Sequence, residues 1–102
     1  MHSKEKQVEQ LLVNAKQALN FLRIVIDDLL LQREKLKPEV FNKVIAYQQM
    51  YKKHKAVLTN IEKLISKSKL PIPERFLNSL ANNLRNRISV IIEDSIELDR
   101  LR

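Results

Sequence analysis

The sequence predicts an all-α fold, an antiparallel up-and-down helical bundle of three long or four helices, and three observations predict it. Apolar residues recur in steps of three and four along nearly the whole chain, the spacing that lays a stripe down one side of a helix. Glycine is absent from all 102 residues, so the tight hairpin turns of a sheet protein lack the residue that enters positive φ without strain. The three prolines fall at two places only, Pro38 and the pair Pro71 and Pro73, where they interrupt helical pattern that otherwise runs on. A chain of this length makes one domain, residues 1–102, with a single modest core.

Val8, Leu12, Ala15, Leu19, Leu22, Ile26 and Leu29 alternate steps of four and three, which predicts a first helix without a breaker to about Leu36. Lys37-Pro38-Glu39 marks a new start, because proline at the first helical position gives up an N–H that has no partner there, and the acid suits the positive helix end. The second segment carries Val40, Phe41, Val44, Tyr47 and Tyr51, then Leu58, Ile61 and Ile65, and its stripe lapses at Lys52-Lys53-His54-Lys55. A bend at residues 51–56 makes four helices in total; continuity makes three. Residues 66–74, with two prolines around Ile72, form the strongest loop, since residues before proline are pushed out of the helical region. Pro73 and Glu74 open the last helix, whose stripe of Leu77, Leu80, Ala81, Leu84, Ile88, Ile91, Ile92 and Leu98 runs almost to Arg102. Short connections make neighbouring helices antiparallel.

Composition excludes most chemistry. Without glycine there is no phosphate-cradling loop, and without cysteine there is neither a disulfide nor a thiolate metal site, which suits a reducing cytoplasm. His2 and His54 have no ligand-spaced partner for zinc and no third group to set up a nucleophilic triad. No enzyme, cofactor or metal is expected. The charged N-terminus lacks the apolar run of a signal peptide, and no apolar stretch is long enough to cross a bilayer.

Charge is the informative remainder. The net +7 belongs almost wholly to residues 37–70, with eight basic and two acidic side chains, whereas residues 1–36 are +1 and residues 71–102 are neutral. Lys52, Lys53, Lys55, Lys63, Lys67 and Lys69 concentrate it. Such a cluster meets phosphate, an anionic membrane surface or an acidic protein patch, or is a solvated face. Nucleic acid is the less supported partner, because the cluster is lysine rather than the arginine of base-reading forks, and Tyr47 and Tyr51 fall in phase with the core rather than free for stacking. A long unbroken stripe on the first helix often continues onto a partner, so a homodimer is open.

Two resemblances attach to these segments. Residues 22–33, Leu22-Arg23-Ile24-Val25-Ile26-Asp27-Asp28-Leu29-Leu30-Leu31-Gln32-Arg33, look like the opening helix of helical chorismate mutases, with Arg23, Arg33 and Lys43 offered for cationic roles. The downstream acid–arginine pair and final-helix glutamine of that family have no counterparts. The better match is to the immunity proteins against pediocin-like bacteriocins, the enterocin A immunity family. Phe21 to Leu30 is similar to that family's early helix with an acidic pair. Glu39-Val40-Phe41-Asn42-Lys43-Val44-Ile45 leading to Tyr51-Lys52-Lys53 resembles its second helix with a basic end. Leu58 to Leu70 and Phe76 to Leu84 resemble its third helix, basic connection and fourth helix. These are leucine-spaced patterns covering roughly two thirds of the chain.

That resemblance implies cytoplasmic self-protection, at or near the inner membrane face, by binding the mannose phosphotransferase permease once a bacteriocin has engaged it. On this reading Lys52, Lys53, Lys55, Lys67 and Lys69 face anionic lipid or the permease, and the chain end, with Asp94, Asp99, Arg100 and Arg102, is a recognition surface. The flexible tail that the family carries after its fourth helix has little room here.

Overall fold

In a computed structural model, which describes residues 3–68 and 71–102, the chain forms three long helices: α1 (Ser3–Leu31), α2 (Pro38–Lys67) and α3 (Glu74–Asp99). The all-helical class holds, with no strand among the described residues, and the four-helix alternative does not. Residues 51–56 are uninterrupted helix within α2. The reason is visible in the phase: Tyr47, Tyr51, His54, Leu58, Ile61 and Ile65 follow in steps of four and three, so the apolar stripe does not lapse but passes through a histidine. His54 is buried, 5% exposed, and Lys52, Lys53 and Lys55 are exposed around it.

The first helix stops at Leu31, five residues short of the expected Leu36. Lys37, ahead of Pro38, must be extended, and it is (φ −64°, ψ 150°), so the chain has to begin turning earlier. It does so through a 3₁₀ turn over Arg33–Lys35, in which the Lys35 N–H donates to the Gln32 carbonyl at 2.8 Å. Leu36 then folds back against the core. At the other connection the Pro73 carbonyl accepts from the N–H groups of Phe76 and Leu77, both at 3.0 Å, so Pro73 caps α3 and Glu74 is its first residue. The last helix ends at Asp99, and Leu101 turns in against the core rather than extending the helix.

Cross-helix ion pairs give the topology. Lys4 meets Glu74 at 2.6 Å at one end, and Arg102 meets Asp28 at the other, so α1 and α3 run parallel. Lys16 pairs with Glu62, and Lys43 with Glu97 at 3.7 Å, so α2 runs antiparallel to both. Helix α1 packs against both neighbours, most extensively on α3, while α2 and α3 touch each other least. It contributes eight of the sixteen buried apolar residues among those described, and α2 only three, Val44, Leu58 and Ile61. The bundle is a rod of 53 × 20 × 16 Å, as helices of about 30 residues, each about 45 Å long, require. Among the described residues no helix is long and apolar enough to cross a membrane.

Candidate binding surface

The lysines of α2 are consecutive or nearly so, and a rise of 1.5 Å with 100° of rotation per residue spreads them over the helix's outer side. Lys53 and Lys67 fall two heptads apart on one stripe, about 21 Å from each other. Lys55 lines a groove shared with Lys16 and Asn20 of α1. Within α2 the acids are Glu39 in the first turn and Glu62, and Glu62 is held by Lys16 of α1. Lys52, Lys53, Lys55, Lys63 and Lys67 are therefore exposed without an ion pair among the described residues. Lys69 lies outside the described residues.

Where α2 ends and α3 begins there is a cleft of about 730 Å³. Leu64, Ile72 and Phe76 give it an apolar lining beside Pro71 and Pro73, and Lys63 and Lys67 stand at its edge. Leu64 and Phe76 are exposed. Apolar side chains thus line the cleft and cations edge it.

The chain-end residues are elsewhere and differently disposed. Arg102 closes a clasp: its Nε donates to Asp99 Oδ1 at 2.6 Å, and its Nη1 donates to Asp28 on α1. Arg100 is exposed. Asp94 is half-buried on the side of α3 that faces α2, and its Oδ2 has no hydrogen-bond partner. Burial, then Glu97 and Glu93, push its carboxyl above the usual range. Tyr47 sits opposite, pushed up to about 12 by burial and by its hydrogen bond to Glu97, and so stays neutral. The structure thus joins Lys52, Lys53 and Lys55 to Lys67 along α2, and leaves Asp99, Arg100 and Arg102 at the end of the rod away from Lys67.

Asp94 yields a pH-dependent expectation. A carboxyl whose folded pKa is raised favours the fold below its ordinary value of about 3.9, and loses that contribution as pH rises through the raised value. At neutral pH it is a cost, on the order of 1 kcal/mol for a buried acceptor left unpaired. Asp94→Asn is expected to melt above the wild type at pH 7, by about 4–8 °C for a domain of this size, with the two curves converging near pH 3. Equal melting temperatures at pH 7 would show the carboxylate to be fully solvated.

Sequence reading missed His54 and its partner. Arg87 Nη1 of α3 lies 2.9 Å from His54 Nδ1; a guanidinium only donates, so Nδ1 accepts and the neutral ring carries its proton on Nε2. Burial, then the Arg87 charge, lowers the histidine's pKa. Nε2 is buried without a partner, and no group of three or more His, Asp or Glu among the described residues is placed to hold a metal. The heptad phase of position 54 was the available signal.

No known family, curated protein or solved structure matches the chain. The surface just described therefore stands on its own chemistry. In the enterocin A immunity pattern, the segment from Glu39 to Lys53 and the one that begins at Leu58 would be two helices; here Pro38–Lys67 is one.

Proposed function

We propose that this chain is a non-catalytic binding protein of the bacteriocin-immunity type, acting at the cytoplasmic membrane face on a permease of the mannose phosphotransferase type that a pediocin-like peptide has engaged. The observation that carries the reading is the row of unpaired lysines on α2, ending at the lysine-edged apolar cleft. Cations on a surface gain about 1 kcal/mol each near anionic lipid, and an apolar cleft beside them takes the apolar side of a membrane-bound helix. The leucine-spaced resemblance over residues 21–30, 39–53, 58–70 and 76–84 supplies the biological role. A binding role asks for no nucleophile, general base or cofactor.

The decisive experiment is survival. Expression in a bacteriocin-sensitive strain should raise survival under at least one pediocin-like peptide, and Lys52→Glu/Lys53→Glu/Lys55→Glu should abolish that rescue while leaving the helical circular-dichroism spectrum intact. Unchanged killing across a panel of such peptides would refute the immunity role. The same triple variant should lower partitioning onto phosphatidylglycerol vesicles by at least about 100-fold, three cations at about 1 kcal/mol each. If the wild type ignores the vesicles but retards DNA or RNA with steep salt dependence, the lysine row serves nucleic acid instead.

A further inference from the structure

We propose that the outer face formed by α1 and α3 is where two copies of this chain associate. The ion pairs at either end hold the two helices in register, each α1 residue level with an α3 residue about 70 to 74 positions later. Phe21 and Ile24 of α1 therefore lie beside Ile92 and Ile96 of α3. All four are exposed, between 42% and 51%. On α1, Phe21 and Ile24 share a stripe with Asp28, which reaches across to Arg102. On α3, Ile92 and Ile96 continue the stripe of Asn78, which receives Lys4. The four side chains thus gather on one outer face, beside the helix–helix seam.

Between its ends, from residue 10 to 24 of α1 and from 82 to 96 of α3, that face carries little charge. Gln10, Asn14 and Gln17 extend the α1 stripe, and Asn78 and Ser89 the α3 stripe, all exposed. Its charged groups are mostly consumed within the chain, Lys4 with Glu74 and Asp28 with Arg102. Arg85 faces outward within it, and Lys6 and Arg100 toward its two ends, without an ion pair among the described residues. In a protein whose side chains are 30% charged, a charge-depleted apolar patch has the composition of an interface core.

The occupant follows from the charge. Two copies at +7 repel, and α2 with its lysine row lies on the far side of the α1–α3 pair. This is the face on which two copies approach without apposing those lysines. Two helices about 10 Å apart and about 40 Å long present on the order of 800 Å², the area per partner of a stable interface. A two-fold axis through the patch sets its four residues against their own copies, as an isologous dimer requires. Both lysine rows then point outward, leaving the proposed binding surface free.

Sedimentation equilibrium of the full chain tests this. The mass should rise from 12.0 kDa toward twice that value between low micromolar and high micromolar concentration, and added salt should not reverse the rise. Ile24→Glu and Ile92→Glu should each raise the dimer Kd at least about 100-fold, with unchanged helicity and melting temperature of the monomer. Leu64→Glu, on the α2 cleft, should leave the dimer as it was. A wild-type chain that stays at 12.0 kDa throughout overturns the proposal. So does association that survives both isoleucine variants, or one that salt dissolves, which would instead join α2 lysines to the acidic end of α3. The survival assay reports on α2 and is independent of these outcomes.

Discussion

Lys53→Pro is expected to destabilise the protein by about 3 kcal/mol or more, a fall in melting temperature of about 12–24 °C for a domain of this size. Position 53 is exposed and in the middle of α2, so the side chain itself contributes little, and Lys53→Ala should lie within about 0.5 kcal/mol of wild type. The proline removes one N–H from the helix ladder, and its ring collides with the carbonyl of the preceding turn. The damage lands where the helix can least absorb it, because the next residue, His54, is inside the protein and held by Arg87 at 2.9 Å. Were residues 51–56 a bend, proline at a compatible position would be neutral or mildly stabilising. Paired thermal melts of the two variants therefore separate one long helix from two short ones.

That substitution probes the place where pattern and structure part. The helical class and the two connections were legible because their causes are local: proline dictates its own φ and its predecessor's ψ, and the missing glycine closes the alternatives. The continuity of α2 was hidden by residue type rather than by spacing. A histidine between lysines looks like solvent, yet its phase is that of Tyr51 and Leu58, and a guanidinium from another helix makes its burial tolerable. The early end of α1 was hidden for a different reason. Its stripe continues past Leu31, and only the reversal needed to bring Pro38 into an antiparallel helix stops it.

The lysine row was legible as a run of charge, but not its freedom. That depends on Glu62 turning to Lys16 rather than to a lysine of its own helix, which is a matter of helix register. The chain-end set divided on the same grounds. Asp99 and Arg102 are spent on a clasp with Asp28, and Asp94 faces α2, where its neighbours Glu93 and Glu97 add to its cost. Sequence shows that α3 ends acidic; only the packing separates the acid that ties down the chain end from the one that strains the helix interface.

Leu22→Ala is expected to cost about 2–5 kcal/mol. Leu22 is completely buried in α1, the one helix that packs extensively on both others. Truncation leaves a void that neither neighbour can fill without leaving the other. Ile24→Ala, two residues on and 43% exposed, should cost well under 1 kcal/mol to the monomer, so chemical denaturation of the pair at low protein concentration isolates burial from composition. The same asymmetry sets the order of loosening. With three buried apolar residues against eight in α1, α2 has the least to lose on detaching, and local opening draws on such weakly buried elements. Amide hydrogen exchange in Leu22→Ala should therefore rise first along α2, and last at the seam of α1 with α3. Uniform exchange across all three helices would mean that the bundle opens only as a unit, and that α2 is held by more than its three buried side chains.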